Sequence, residues 1–296
     1  MTYELYSETF GDWPLVGYYA LAWLSFYPLI EKCLPQCPSS LKLKDDTQPP
    51  ATLEDLRTAW EQSKENLKET MAMLNALYCV LVGGYVLLQT PWVWDNESYV
   101  TEQYIVNFSL AYFVADTVYG LYLGILPADK FMHHVGVVIG LGVSTSMGMF
   151  SKECLISCVI GEASNMFLCG KNLMDGYGLR KGRFYVALGV TFMISFVFCR
   201  VFTTIWLMPH LQSDPKKPIF LNIASVIMFW VSWLWMWRIA NMGTKFFAEA
   251  NPKSAVAQKI YGTVKAFRRY EMVYHVFVTW LTTRHLISSR FGIEWI

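Results

Sequence analysis

The sequence predicts an all-α polytopic membrane protein, a bundle of about seven transmembrane helices with an amphipathic C-terminal helix. Three observations predict it. The first is composition: of 296 residues, 54% are apolar and 16% charged, against about 25% charged in soluble domains. The second is a series of apolar runs long enough to span a bilayer. The third is the sorting of basic residues to one side of those runs. A mean hydropathy of +0.30 excludes disorder and an ordinary soluble enzyme. A net charge of +1 argues against a nucleic-acid binder, which needs a clustered basic field, but such a sum can hide an asymmetry of position.

A span needs about 20 mostly apolar residues. Trp13–Ile30 is the first; the acidic Glu4, Glu8 and Asp12 before it do not fit a secretory signal. Residues 31–68 form the long polar connection. Pro49-Pro50 stops one segment, and Thr52 with Asp55 three positions on is close to a capping box. Leu53, Leu56, Trp60, Leu67 and Leu74 recur at helical spacing, so this helix runs on into the second span, Glu69–Gln89. Its mixed charges read as a solvated face. Tyr104–Leu126, Met132–Phe150 and Lys152–Asn172 follow, the last two separated by a tight turn at Ser151. Phe184–Met208 and Ile219–Asn241 complete the seven. Trp13, Trp92, Trp94, Trp206 and the cluster Trp230, Trp233, Trp235, Trp237 fall mostly near span ends, where indoles prefer the interface. In the tail, Glu271, His275, Arg284 and His285 make Tyr270–Ile287 an interfacial amphipathic helix rather than an eighth span.

Seven spans put 20 of the 24 Lys and Arg residues on the side of the C-terminus, the exceptions being Lys152, Lys216, Lys217 and the membrane-embedded Arg200. The positive-inside rule then places the C-terminus in the cytosol or matrix and the N-terminus in the lumen or intermembrane space. The chain divides into an N-terminal two-span region (1–106), a helical bundle (107–242) and a basic amphipathic tail (243–296). Most of the seven cysteines lie in apolar runs and read as buried thiols; Cys33 and Cys37 lack the second pair a zinc site needs.

Ionisable groups at membrane depth are costly and are functional candidates by default. Asp116 lies in the third span, His133 and His134 open the fourth, Glu162, Ser164 and Asn165 sit mid-fifth, and Arg200 lies in the sixth. Acids and imidazoles together could share protons or hydrogen-bond an acyl carbonyl, with His133 or His134 as the catalytic base. The alternative is structural: Glu162 or Asp116 pairs with Arg200 and fixes helix register. Adjacent helical residues point about 100° apart, so only one of the two histidines packs easily. They lack the i, i+4 spacing of helical metal ligands, and no nucleotide or cofactor fingerprint is present. No cofactor or metal is expected, but a bound lipid is.

These residues resemble the TLC-domain family of ceramide synthases, translocation-associated membrane proteins and lipid-regulating proteins. The carriers are Ala111-Tyr112-Phe113-Val114-Ala115-Asp116, His133-His134 seventeen residues after the Asp, Gly161-Glu162-Ala163-Ser164-Asn165, and Phe198-Cys199-Arg200. The resemblance runs over about Asn107–Met242. It implies a helical bundle around a lipid-accessible cavity with the paired histidines near its floor, and Asp116, His133, His134, Glu162, Asn165 and Arg200 as cavity-lining positions. In ceramide synthases the pair works with a downstream His-Asp-x-x-Asp. Here Glu162-Ala163-Ser164-Asn165 stands in that span, which is similar to the non-ceramide-synthase branch.

Three functions fit. One is a protein of lipid metabolism that binds or handles a lipid or acyl chain in its bundle. Another is an accessory subunit docked on other membrane-protein subunits, as in a mitochondrial respiratory-chain assembly. The third is an acyl-CoA-dependent acyltransferase. The membrane is that of the endoplasmic reticulum or the mitochondrial inner membrane, and the partners are lipid and membrane protein, not nucleic acid.

Overall fold

The computed structural model describes residues 13–34, 53–90, 98–180, 182–203, 218–250 and 252–267. Among them the chain is helical and contains no strand. Helix α1 (Trp13–Cys33) is followed by α2 (Leu53–Tyr78), which passes through a π-helical turn (Cys79–Gly83) into α3 (Gly84–Gln89). The helix expected to run from the polar connection into the second span is therefore continuous. Next come α4 (Val100–Leu123), α5 (Ala128–Met147), α6 (Ser151–Gly176) and α7 (Arg183–Phe196), the last extended by a second π-helical segment (Val197–Phe202). Helix α8 (Ile219–Ala250) and the short α9 (Ala255–Phe267) complete the described chain. Thr52, Cys37 and the tail segment Tyr270–Ile287 lie outside the described residues.

By length and hydropathy, four helical stretches can cross a membrane: Arg57–Gln89, Ser151–Gly176, Arg183–Val201 and Ile219–Lys245. Helices α1, α4 and α5 are 21, 24 and 20 residues long. Their hydropathy is diluted by Tyr and Trp in α1, by buried polar groups in α4 and by Gly, Ser and Thr in α5. The surface distribution is that of a membrane protein. Leu81, Leu88, Tyr122, Phe184 and Phe198 face outward, while Glu102, Gln103, Asn107, Asp116, Glu162 and Arg200 face inward.

The connections around the site are short, and each has a local cause. Helix α4 ends in a Schellman motif: Gly124 takes φ +68°, Ile125 N–H donates to the Gly120 carbonyl and Gly124 N–H to that of Leu121. Pro127 precedes the first residue of α5, a position suited to a residue that fixes φ and has no N–H. The expected tight turn between α5 and α6 is formed by Gly148 (φ +60°) and Phe150 (φ +65°). Phe150 is fully buried, so packing holds a backbone conformation that a bulky residue otherwise avoids.

Helix α4 is central, packed against α1, α5 and α6; α2 lies along α6, α8 along α5, and α7 along α6. A core of Tyr27, Leu67, Met71, Leu110, Ala111, Phe113 and Leu155 joins α1, α2, α4 and α6. Four helices thereby present their inward polar residues to one another.

Candidate functional site

Asp116 is the hub of the polar cluster, with 4% of its surface exposed. Tyr27 of α1 donates its hydroxyl to Asp116 Oδ1 at 2.7 Å. On the other carboxylate oxygen, Lys68 Nζ of α2 lies at 3.7 Å and His134 Nε2 of α5 at 3.6 Å. Four helices thus meet at one carboxylate. Lys68 was read as part of a solvated face, but it is 6% exposed and turned into the bundle. Its ammonium passes over Gly120, where an added Cβ would lie 2.8 Å from Nζ. The missing side chain is what lets the lysine in.

The hydrogen bonds fix the tautomer of His134. The Thr117 hydroxyl donates to the Phe113 carbonyl at 2.6 Å, so at 2.8 Å from His134 Nδ1 it must accept. Nδ1 carries the proton, and Nε2 faces the Asp116 carboxylate. His133 takes a different environment, between the rings of Phe113 and Trp235 at centroid distances of 5.9 and 5.0 Å. Both histidines pack, against the expectation that only one would, because each has its own set of neighbours on either side of α5. His133 Nδ1 is buried with no hydrogen-bond partner among the described residues.

The expected pairing of Arg200 with Glu162 or Asp116 is indirect. Asn165 bridges it: its amide donates to Glu162 Oε2 at 3.0 Å and its carbonyl accepts from an Arg200 guanidinium nitrogen at 3.3 Å. Asp116 is bound by Tyr27, Lys68 and His134 instead. Arg200 lies over the Trp235 ring at 6.0 Å.

Two adjoining cavities contain these groups. The outer one, about 300 Å3, opens at the end of the bundle where α5 begins and α6 ends, and is lined by Lys68, Asp116, His134, Asn165, Asp129 and Arg238. The inner one, about 130 Å3, lies between α5, α6, α8 and the π-helical segment, with Gly140, Cys154, Cys158, Arg200, Ala224 and Ser232 in its wall. Each is far larger than the roughly 30 Å3 a water occupies in the liquid. Phe113, His133 and Glu162 line both and form the partition between them. Asp116, His134 and Asn165 thus line the outer cavity, Arg200 the inner one, and His133 and Glu162 both.

Ion pairs join the helices at the outer mouth. Lys130 of α5 reaches Glu69 of α2 at 3.4 Å. Arg238 of α8 pairs with Asp129 of α5, which also accepts a 2.8 Å hydrogen bond from Trp235 Nε1. Burial alone would raise the Asp129 carboxyl, but the Trp235 hydrogen bond and the Arg238 charge outweigh it and hold the group below the usual carboxylate range. Tyr27, Lys68, Glu69 and Trp235 were not expected in the site. Trp235 belongs to a cluster that composition assigns to the interface, and α2 carries charge of both signs on several faces.

The arrangement is a helical bundle with lipid-facing apolar surfaces and a buried polar cavity, which defines a polytopic membrane protein with an internal site. The chain belongs to the TLC-domain family, whose model matches residues 67–241. The match begins within α2, so the helix that brings Lys68 is part of the matched region. No curated protein and no solved structure matches the chain.

Proposed function

We propose that this protein binds a lipid or acyl chain inside its helical bundle, as a lipid-handling member of the TLC-domain family. The observation that carries this reading is the paired cavity: an outer compartment ringed by charged groups, and an inner one lined largely by small and apolar residues. That polarity gradient matches an amphiphile. The Glu162-Ala163-Ser164-Asn165 stretch, with Asn165 engaged between Glu162 and Arg200, supports placing the protein outside the ceramide-synthase branch. The sorted lysines and arginines support an N-terminus on the lumenal or intermembrane side and a C-terminus in the cytosol or matrix.

The test is to purify the full chain in mild detergent, denature it, and measure the released lipid by mass spectrometry. A near-stoichiometric lipid is expected, and Leu168→Trp, which fills the outer cavity, should reduce it several-fold with the helical content unchanged. A folded protein that carries only the lipid profile of the surrounding micelle refutes the reading.

A further inference from the structure

The inner chamber holds one buried base. Arg200 is 3% exposed, and its one hydrogen bond among the described residues runs to Asn165 Oδ1. Among the described residues its buried Nε has no hydrogen-bond partner, and no carboxylate lies within ion-pair distance of the guanidinium. A buried, charged donor without an acceptor is costly enough that its retention calls for one.

The hydroxyls of the chamber have little left to donate to an entering ligand. Ser157 donates to the Glu153 carbonyl at 2.8 Å, Ser225 to that of Asn222 at 2.8 Å, and Thr203 to that of Phe198 at 2.9 Å. Their protons are spent on the helix backbone, so the Arg200 guanidinium, with one bond to Asn165, is the charged donor in the chamber wall. In the partition, lining the same chamber, stands His133, whose Nδ1 has no hydrogen-bond partner among the described residues.

Charge and size narrow the occupant. Glu153 and Glu162 line the same chamber as Arg200, so a carboxylate or phosphate head would meet two acids for one base. An uncharged oxygen accepts from the guanidinium without adding charge. At about 130 Å3 against about 300 Å3, the chamber is the smaller of the two cavities, which favours a small head. The wall beyond the head is apolar: Val137, Leu141, Ile160 and Met228.

We infer that Arg200 anchors the oxygen head of an uncharged single-chain lipid in the inner chamber, the shared chemistry being the hydroxyl or carbonyl of a long-chain alcohol, aldehyde or monoester. This rests on the lipid-handling reading above and names the ligand class and its anchor. The paired histidines are then not what holds the head; Arg200 is.

The experiment uses the full chain in phosphatidylcholine nanodiscs and three photoreactive diazirine–alkyne probes: a hexadecanol, the matching palmitic acid and a matching phosphatidylcholine. The hexadecanol probe should crosslink to chamber peptides of α6 and α8, saturably, and compete with unlabelled hexadecanol. Arg200→Gln, and Arg200→Lys, which keeps the charge but lacks the planar guanidinium, should each weaken capture about tenfold, the worth of one hydrogen bond to a charged group. If both fail to fold, Ala224→Leu decides: it keeps Arg200, fills the chamber and should abolish capture. Wild-type capture in a folded Arg200→Lys or Ala224→Leu protein overturns the inference, as does preferential capture of the palmitic acid probe. Capture of phosphatidylcholine at the outer cavity with no hexadecanol in the chamber overturns it too, while leaving the lipid-handling reading intact. Capture of none of the three overturns both.

Discussion

The Asp116–Lys68 pair gives the sharpest test of how the bundle is held. Asp116→Asn keeps the shape and the Tyr27 contact but removes the charge that Lys68 faces at 3.7 Å. With both partners less than a tenth exposed, the lysine left behind is a largely buried charge without its closest carboxylate. Breaking one side of a buried pair costs about 3–5 kcal/mol, much of it from the charge left behind. Removing both charges, as in Lys68→Met with Asp116→Asn, leaves no orphan. The double variant should therefore recover about 1–3 kcal/mol relative to the sum of the singles, the coupling expected of groups in direct contact. The assay is a double-mutant cycle on thermal unfolding in a fixed detergent, read by tryptophan fluorescence and by loss of the monodisperse peak. At roughly 2–4 °C per kcal/mol, Asp116→Asn should lower the midpoint by at least about 6 °C. If the single effects simply add, Lys68 and Asp116 are not an interacting pair and the four-helix hub is wrongly drawn.

Tyr27→Phe removes a buried hydrogen bond to a carboxylate at 2.7 Å and should destabilise by about 1.5–3 kcal/mol in the same unfolding assay. An unchanged midpoint would mean that α1 is not latched to α4 through Asp116. Gly120→Ala places a methyl 2.8 Å from Lys68 Nζ and should displace the ammonium from Asp116; in a Lys68→Met background the same alanine should cost markedly less. Equal cost in both backgrounds would assign the clash to another neighbour. Asp129 ionises more readily when folded than unfolded, so its stabilisation is complete above the unfolded value, about 3.9, and is lost as the pH falls through the lower folded one. Wild type should lose more stability between pH 5 and pH 3 than Asp129→Asn; parallel acid curves would contradict this.

The sequence made the site legible where a charge had no business being. Asp116, His133, His134, Glu162 and Arg200 stand out against apolar runs because membrane burial of an ionisable group needs a reason. Asn165 was visible only beside Glu162. Lys68 was hidden by its setting: in a helix that carries Glu65, Glu69 and Lys64 as near neighbours, nothing in the spacing marks which charge turns inward. That choice is made by Gly120 on another helix, 52 positions away. Trp235 was hidden by its residue type, since an indole near a span end satisfies the interface rule as well as it satisfies Asp129. Helix existence followed from the length of the apolar runs, and the α5–α6 turn from the lack of residues between two adjoining runs at Ser151. The hydropathy of α1, α4 and α5 is lowered by the same polar and aromatic residues that build the inside of the bundle.

The segment Val197–Phe202 has a consequence for how α7 can vary. A π-helical stretch takes in more residues per turn than the α-helix around it, so it sets the angular phase of everything after it. Each residue of an α-helix advances the face by about 100°. Deleting one residue upstream within α7 would rotate Cys199 and Arg200 together away from the chamber, while the helix remained as apolar and as long as before. The location of this buried arginine is thus encoded in a count as well as in its contacts, and a length change moves it where a single substitution does not.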